Sequence, residues 1–327
     1  MIRNLSFLSA DDHSTGYDRS SAVPFELISR LCKSLTPRRR VTSAVRLSGG
    51  LSNSSFKIHF ESFEEPIVLR IYERDPTACQ KEIDLLFALG RTVPVPEVVH
   101  AEPEGVGQEG PFIFLRYVEG ITFRQLKATG DRRAIQEASY AAGATLAAIG
   151  KHNFTLLSHT SDGERTMPEI IDSHITSPKL IARAGSALAD RVRRLVARRA
   201  LQLQAVMKER RLVHGDFRKQ NILVRPCGNS WTVAAILDWE CAFTGSPMYD
   251  VALFLRYERP ERPIAEPYFS RGFLDGGGQL CDDWRDAIRV VDLESLCGSL
   301  TADDLPPDVE REIVGLVAAT AMQLEGH

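Results

Sequence analysis

Two short apolar runs in the second half of the chain carry the clearest local pattern. Residues 222–224 and 231–237 are rich in β-forming side chains, and a cluster of turn-forming residues, 225–230, separates them. This pattern predicts two strands that pair as an antiparallel hairpin. The residue that enters the first strand then lies beside the residue that leaves the second, so we expect Asn221 and Asp238 to be neighbours.

The first third of the chain predicts further strands. Residues 45–60 are typical of a strand, a turn rich in glycine and hydroxyl groups, and a second strand. Residues 66–72 show a strand pattern in which Arg70 is the single charged position. Residues 110–120 form an apolar run that ends in polar residues and a glycine. These segments together predict a sheet in the N-terminal part of the chain.

Helices are predicted before, between and after these strands. Residues 25–35 repeat apolar side chains at helical spacing. A second helix is predicted between Asp75, followed by a proline that suits the first turn, and a stop at Gly90. The second part of the chain is mainly helical, with helices expected over residues 134–149 and 187–207.

Two segments lack a regular period. Residues 1–24 are polar, and we expect them to form a poorly ordered arm. Residues 154–180 mix polar groups with Gly163, Pro168 and Pro178. This second segment is predicted to be an irregular insertion, which either forms a wall of an acceptor site or is an ordinary surface loop.

The candidate chemistry lies in the loop before the predicted hairpin and at the end of the hairpin. A carboxylate and an amide oxygen suit Mg²⁺, which takes few protein ligands and completes its octahedron with water and substrate phosphates. We therefore expect Asn221 and Asp238 to be metal ligands. Asp216 precedes them on the loop, where a carboxylate can accept a proton from an incoming hydroxyl. An unrelated hairpin with capping acids is the alternative interpretation.

The motif around Asp216 resembles that of a known enzyme family. An acid, four residues and an asparagine, followed by a metal-binding aspartate, form the catalytic-loop pattern of protein kinases. Here His-Gly-Asp at residues 214–216 and Asp-Trp-Glu at residues 238–240 stand at the two motif positions. These variants resemble the aminoglycoside phosphotransferase and choline kinase-like family. The resemblance covers roughly residues 45–257.

The resemblance implies an α+β, bilobal, protein kinase-like fold. Residues 1–118 would form an N-terminal nucleotide-binding lobe with an antiparallel sheet and a helix. Residues 119–327 would form a mainly helical C-terminal lobe that carries the catalytic hairpin and the acceptor site. The resemblance also implies that Asp216 deprotonates the acceptor hydroxyl and that His214 orients the loop through hydrogen bonds. Asp250 would brace the same loop, with a helix cap alone as the alternative.

The same resemblance assigns the nucleotide site. The glycine-rich turn offers backbone donors for phosphate oxygens, although an ordinary hairpin loop would have a similar sequence. The end of the apolar run at residues 110–120 is expected to be the hinge that reads the nucleotide base. The candidate nucleotide-binding residues are Gly49, Gly50, Ser52, Asn53, Ser54, Arg70, Glu82, Arg116, Tyr117 and Val118.

Arg70 and Glu82 are expected to pair. Glu82 falls on the same helix face as Leu85, Leu86 and Leu89, and a carboxylate on an apolar face is costly unless it is paired. Arg70 is the obvious partner, and the pair would reproduce the ion pair that positions the phosphates in kinases. The alternative is that Glu82 extends to solvent while Arg70 lies on an edge strand.

Composition narrows the class of protein. The 327 residues are 43% hydrophobic and 25% charged, which is enough for two lobes with a core. The net charge of -3 does not favour nucleic-acid binding. No apolar run approaches the roughly twenty residues of a membrane span, and the start of the chain lacks a secretory pattern, so we expect a cytoplasmic protein. The six cysteines have no metal-site or disulfide spacing.

The acidic stretch near the end of the chain has two interpretations, which differ in the charge they imply for the acceptor. Residues 275–312 are acidic, and an acidic wall would attract a cationic substrate such as an aminoglycoside or an amino alcohol. Charged helix faces that serve only solubility are the alternative.

These observations favour a Mg²⁺-dependent O-phosphotransferase that uses ATP or GTP to phosphorylate a small hydroxylated molecule. One rival is a catalytically silent kinase-like protein that only binds nucleotide. The other is a protein kinase, but the Ala-Pro-Glu landmark of that class does not follow Asp238. The sequence does not decide the acceptor, the nucleotide or the oligomeric state.

Overall fold

Five antiparallel strands and two helices build the N-terminal lobe. The computed structural model describes residues 23–47, 53–61, 65–153, 166–258 and 262–326. Most of the predicted N-terminal arm and most of the glycine-rich turn lie outside these ranges. The elements of the lobe are α1 (Phe25–Leu35), β1 (Val41–Arg46), β2 (Ser54–Phe60), β3 (Ile67–Ile71), α2 (Ala78–Leu89), β4 (Val98–Glu102) and β5 (Phe112–Arg116).

The sheet has the strand order β1-β2-β3-β5-β4, and every neighbouring pair is antiparallel. The two faces of the sheet pack in two different hydrophobic clusters. On β5, Phe112 and Phe114 pack in a cluster with α1, whereas Ile113 and Leu115 pack in the cluster that contains α2. Because side chains of a strand alternate between faces, the apolar residues 112–115 are buried on both sides of the sheet, and Arg116 at the end of the strand is exposed.

The C-terminal lobe is mainly helical and contains two small groups of strands. Its elements are β6 (Ile121–Thr122), α3 (Phe123–Ala128), α4 (Arg132–Ile149), α5 (Met167–Ile175), α6 (Pro178–Ala184), α7 (Ser186–Arg198), α8 (Ala200–Met207), β7 (Arg211–Val213), β8 (Ile222–Cys227), β9 (Ser230–Ile236), β10 (Phe243–Gly245), α9 (Met248–Leu255), α10 (Glu266–Asp275), α11 (Trp284–Ser299) and α12 (Pro307–Glu325). The predicted α+β fold with two lobes is confirmed.

The predicted hairpin is present, with a tighter turn than the sequence indicated. β8 and β9 pair antiparallel with Ile222 opposite Ile236, and the Leu237 N–H donates to the Asn221 carbonyl at 2.8 Å. Both strands extend into the predicted turn, which shrinks to two residues because Gly228 adopts a φ of 60°. The hairpin therefore brings Asn221 to the end of β9, where Asp238 follows.

Three predictions about helices need correction. The expected single helix over 187–207 is divided into α7 and α8, and Arg199 lies between them. The Arg199 guanidinium points inward and bonds the Leu324 carbonyl and Asp286. Residues 167–175 and 178–184 are helices rather than an irregular insertion, because prolines are well suited to a first helical turn. Asp75 is not the N-cap of α2, which begins at Ala78 with Thr77 before it. The Asp75 carboxylate instead accepts hydrogen bonds from the backbone N–H and the hydroxyl of Thr77.

The larger hydrophobic cluster crosses the boundary between the lobes. It contains Leu85 and Leu89 of α2 together with Phe217, Trp239 and Phe254 of the C-terminal lobe. The N-terminal lobe therefore presents α2 to the loop that carries the candidate chemistry. No helix in the described part of the chain is long and apolar enough to span a membrane.

Candidate active site

The loop that carries the candidate chemistry begins where β7 ends and makes a sharp turn at Gly215. This residue has a φ of 78°, and a Cβ placed there would lie 2.3 Å from the Cys241 carbonyl oxygen. A side chain would therefore clash and would also strain the backbone. The turn brings Asp216 close to the hairpin formed by β8 and β9.

Asp216 is buried and both of its carboxylate oxygens have partners. The Arg218 guanidinium bonds both oxygens, with Nη2 to Oδ2 at 3.0 Å. The Asn221 Nδ2 donates to Asp216 Oδ2 at 2.7 Å and to the Asp216 carbonyl at 3.0 Å. These charged and neutral donors fix the orientation of the carboxylate.

His214 links the loop to the hairpin. Its Nδ1 accepts a hydrogen bond from the Asp216 N–H at 3.1 Å, and its Nε2 lies 3.0 Å from the Leu237 carbonyl. Burial lowers the pKa of His214, which favours the neutral ring with the proton on Nε2. This geometry matches the orienting role that the resemblance implies.

Asp250 of α9 holds the other side of the loop. Its carboxylate accepts hydrogen bonds from the backbone N–H groups of His214 at 2.7 Å and Gly215 at 3.0 Å. The helix begins at Met248, so Asp250 lies inside its first turn and is not the cap of a helix that begins at Val251. Complete burial raises the pKa of Asp250 to about 7.

Asn221 and Asp238 provide oxygen atoms that suit a divalent cation. Because the Asn221 Nδ2 donates to Asp216, its amide oxygen faces away from that carboxylate. Asp238 is the one non-glycine residue with positive φ in the described part of the chain, at 69°. Glu240 lies in the 3₁₀ turn that follows, Trp239–Cys241. Such hard oxygen donors are the ligands that Mg²⁺ prefers.

Arg70 is paired with Glu82, as predicted, and also reaches the opposite lobe. Its Nε lies 3.2 Å from Glu82 Oε2, and its Nη2 lies 2.5 Å from Asp238 Oδ1. Tyr72 adds a second partner for Glu82 through a 2.6 Å hydrogen bond. Burial alone would lower the pKa of Arg70, but the charges of Glu82 and Asp238 raise it, so the guanidinium remains charged.

The edge of the glycine-rich turn also contacts the C-terminal lobe. The Asn53 Nδ2 donates to Glu240 Oε2 at 2.6 Å, and Ser54 donates to Glu73 at 3.0 Å. Among the described residues, no partner is present for the buried Asn53 Oδ1. The predicted phosphate-contacting residues Gly49, Gly50 and Ser52 lie outside the described ranges.

The three predicted hinge residues lie at the end of β5 and just after it. Arg116 is exposed, and its side chain bonds Glu97 at 2.7 Å and Glu65 at 3.0 Å. Tyr117 is half-buried beneath the Lys57 ammonium, which lies 3.9 Å from the ring centroid. Val118 is half-buried in the irregular segment that joins the lobes.

Two side chains in this site were missed from the sequence. Arg218 was not among the predicted site residues, although it lies two positions after Asp216 and bonds its carboxylate. Glu240 was read only as part of the motif, yet it bonds Asn53 and lies 3.8 Å from Arg70. Burial and the charge of Asp238 raise the pKa of Glu240 to about 7.

A model of the phosphotransferase enzyme family, APH, matches residues 43–286. Among curated proteins, acyl-CoA dehydrogenase family member 10 of Mus musculus is 26% identical over 297 residues. That match covers 81% of this chain and 27% of the mouse protein, so the chain spans about a quarter of this relative's length.

Solved structures of aminoglycoside phosphotransferases share the fold. A thermostable mutant of APH(4)-Ia in ternary complex with AMP-PNP and hygromycin B has a TM-score of 0.63 and 20% identity, covering 90% of this chain and 97% of that one. The GDP complex of wild-type aminoglycoside 2'-phosphotransferase-IIIa has a TM-score of 0.65 and 18% identity, covering 90% and 98%. The protein kinase-like fold is therefore confirmed.

Proposed function

We propose that this chain, which belongs to the phosphotransferase enzyme family and is a small-molecule kinase, transfers the γ-phosphoryl group of ATP or GTP to a hydroxyl of a small molecule. One observation carries the proposal. Asp216 is hydrogen-bonded to Asn221 at the start of the hairpin, and Asp238 at its end faces the Arg70–Glu82 ion pair of the other lobe. That arrangement supports a cleft in which Asp216 acts as the base, Asn221 and Asp238 supply oxygen ligands, and Arg70 clamps the phosphates.

Asp216 is proposed to orient the acceptor hydroxyl and accept its proton. The acceptor oxygen forms a bond to the γ-phosphorus while the bond from that phosphorus to the β,γ-bridging oxygen breaks. The products are a phosphate monoester and a nucleoside diphosphate. Arg218 bonds both oxygens of Asp216, and its positive charge beside the base is proposed to stabilise the negative charge that develops on the transferring group.

Arg70 is proposed to clamp the nucleotide phosphates while Glu82 fixes its direction. In the described structure the guanidinium already bridges Glu82 and Asp238, so it lies at the edge of the proposed phosphate site. Asn221 and Asp238 would hold Mg²⁺, which would neutralise charge on the phosphates when bound. The buried Asn53 Oδ1 and the Glu240 carboxylate line the same cleft.

The comparisons indicate which nucleotides and which acceptors should be tested. The related folds include one bound to AMP-PNP and another bound to GDP, so both purines belong in any test. Hygromycin B in one of those structures supports an aminoglycoside among the acceptors to be tried. The name of the mouse relative refers to acyl-CoA, which supports adding hydroxyacyl thioesters to the same panel.

The test is nucleoside-diphosphate release by the purified protein with Mg²⁺ and either nucleotide across aminoglycosides, amino alcohols, sugars, hydroxy acids and hydroxyacyl thioesters. Asp216→Asn should reduce acceptor-dependent release by about a hundredfold or more, because general-base help is lost while the nucleotide contacts stay. Asp190→Asn, which removes only a surface ion pair, is the matched control. Full activity in Asp216→Asn would remove Asp216 from this role, and nucleotide binding without any release would favour the silent binding protein.

A further inference from the structure

A large cavity lies in the C-terminal lobe between the end of α9 and the last two helices. Its volume is about 1370 Å³, which is ample for a small-molecule ligand. The inner wall includes Arg256 and Tyr257, the residues that follow α9, together with Asp292 of α11. The sequence assigned no function to Arg256 or Tyr257, whereas Asp292 lies in the acidic stretch of residues 275–312.

The cavity wall is physically tied to the catalytic loop. The Lys219 ammonium donates to the Phe254 carbonyl at 2.6 Å, two positions before Arg256. Asp250 on the same helix binds the loop backbone. Burial alone would lower the pKa of Arg256, but the charge of Asp292 and, more weakly, that of Asp216 raise it. Helix α9 therefore connects the cavity wall to the loop that carries Asp216.

Seven acids and five arginines line this cavity, and three of the acids form ion pairs with arginines of the same lining. Arg256 pairs with Asp292 at 2.6 Å, and Arg285 pairs with Glu266 at 2.6 Å. Asp286 is bonded by both Arg199 and Arg289. The acidic character of residues 275–312 thus does not present an open negative wall to a cationic acceptor at these positions.

Arg256 retains one donor that the protein does not use. Its side chain is 1% exposed, and its Nε and Nη2 both bind the same oxygen of Asp292. Within the described ranges, the buried Nη1 has no hydrogen-bond partner. A buried N–H without an acceptor is destabilising, and an oxygen supplied by a ligand would satisfy it.

We propose that this cavity holds the acceptor and that Arg256 binds an anionic oxygen group, a carboxylate or a phosphate, on the same molecule as the phosphorylated hydroxyl. Arg256 is thus a specificity-determining residue, because a guanidinium binds planar or tetrahedral oxyanions through several N–H groups. Arg218, which bonds Asp216, adds a second positive charge beside the proposed base. This inference rests on the proposed phosphotransferase function and names the chemical class of its substrate.

The test compares acceptors that share a hydroxyl and differ in charge. The probes are 3-hydroxybutyrate, a hydroxyalkyl phosphate, the neutral 3-hydroxybutyramide and a cationic amino alcohol. Binding is measured by calorimetry with Mg²⁺ and a non-hydrolysable nucleotide, and transfer is measured with ATP and GTP. We expect the wild-type protein to bind at least one anionic probe tenfold or more tightly than the amide. The preferred anion identifies carboxylate or phosphate as the recognised group.

Arg256→Lys keeps the charge beside Asp292 but loses the unused Nη1. It should weaken binding of the preferred anion tenfold or more and leave the amide unchanged. Arg285→Lys on the rim of the same cavity is the matched control and should change neither. Equal effects of Arg256→Lys on anion and amide would overturn the assignment. If this variant does not fold, the wild-type comparison of anion with amide still decides.

The outcomes separate this inference from the proposed function. Transfer to cationic or neutral acceptors alone would overturn the anion site and keep the phosphotransferase. Anion binding that depends on Arg256, without transfer to any probe, would support the anion site and count against the phosphotransferase. A wild-type protein that binds the amide as tightly as both anions would overturn the inference whatever its activity.

Discussion

At the scale of single residues, the cleft is shaped by three carboxylates that surround one guanidinium. Glu82, Asp238 and Glu240 all lie within 4 Å of one guanidinium, that of Arg70. Such a cluster is stable only if the cation stays charged and its geometry is fixed, because removal of one partner leaves an uncompensated buried charge. The Arg70 guanidinium therefore controls both the shape and the potential of the proposed phosphate site.

Arg70→Lys should lower the specificity constant of transfer by roughly tenfold to a hundredfold. Lysine keeps the positive charge but cannot bridge Glu82 and Asp238 as a planar fork, and hydrogen bonds to charged groups contribute roughly 1.5–3 kcal/mol. Steady-state kinetics against the acceptor and nucleotide measure the loss. Arg70→Met is the companion variant and should be worse, since it also leaves Glu82 buried and unpaired. Activity equal to wild type in Arg70→Lys would contradict the clamp.

The same residues show what sequence reasoning can reach at this scale. The Arg70–Glu82 pair was predictable because a carboxylate on an apolar helix face needs a partner, and one lone cation was available on a neighbouring strand. The bond from Arg218 to Asp216 was not predictable in the same way, because an arginine in a polar loop carries no periodic signal. Its pairing depends on the turn at Gly215, which only the folded backbone defines.

At the scale of elements, close contacts decide where helices can lie. Helices α4 and α10 cross at two glycines. A Cβ at Gly143 would lie 2.0 Å from the Phe269 carbonyl oxygen, and a Cβ at Gly272 would lie 2.0 Å from the Tyr140 carbonyl oxygen. The backbones therefore approach each other more closely than any side chain would allow. Neither glycine was distinguishable in the sequence from one in an ordinary helix.

Gly272→Ala should reduce the free energy of unfolding by about 1–3 kcal/mol, because the added methyl group overpacks the crossing of α4 and α10. Gly315→Ala in α12 is the matched control, since a Cβ there meets no atom within 4 Å. That control should raise stability by up to about 1 kcal/mol from helix propensity alone. Urea denaturation of the two variants and the wild type measures both signs. Equal stability of the two variants would show that the crossing can relax.

Asp250→Asn should change how stability depends on pH. The folded pKa of Asp250, about 7, lies above its ordinary value of 3.8. Between these values the folded state binds a proton that the unfolded state has released, so this group makes stability fall as pH rises. Asparagine does not titrate in this range. The unfolding free energy of the wild type minus that of the variant should therefore decrease by roughly 2 kcal/mol between pH 5 and pH 7.

Urea denaturation at pH 5, 6, 7 and 8 gives this difference directly. The difference should level off near pH 8, because folded Asp250 is about half protonated at pH 7 and mostly ionised in both states at pH 8. Asp190→Asn is the control, since that carboxylate lies on an exposed helix face. A constant difference across the whole series would mean that the Asp250 carboxyl keeps an ordinary pKa in the folded protein.

Elements with a strong local period were predicted well, and those set by tertiary contact were not. The first helix agrees with its apolar spacing, and the hairpin agrees with its two β-rich runs. The break between α7 and α8 lies at Arg199, whose guanidinium bonds α11 and the end of α12. A local pattern contains no information about such partners, so the sequence predicted one continuous helix.

At the scale of the whole molecule, the two lobes share a core and a set of polar contacts. The large hydrophobic cluster runs from α2 to α12, and Arg70–Asp238 and Asn53–Glu240 join the lobes across the cleft. The boundary near residue 118, expected from the resemblance, remains a prediction. Because the core is continuous, we expect the described lobes to unfold as one cooperative unit.

Nucleotide binding should therefore stabilise the whole molecule, and Asp238→Ala should remove the part that needs Mg²⁺. A ligand present at about 100 times its dissociation constant raises the unfolding free energy by about 2.7 kcal/mol. All three tryptophans, Trp231, Trp239 and Trp284, lie in the C-terminal lobe, so fluorescence reports that lobe while circular dichroism reports both. In the wild type the unfolding transitions seen by fluorescence and by circular dichroism should shift together when nucleotide and Mg²⁺ are added.

In Asp238→Ala the shift of the unfolding transition by nucleotide should be the same with and without Mg²⁺, because a metal ligand is lost. Asp190→Asn should behave as the wild type. A full Mg²⁺-dependent shift in Asp238→Ala would show that the metal binds through other residues.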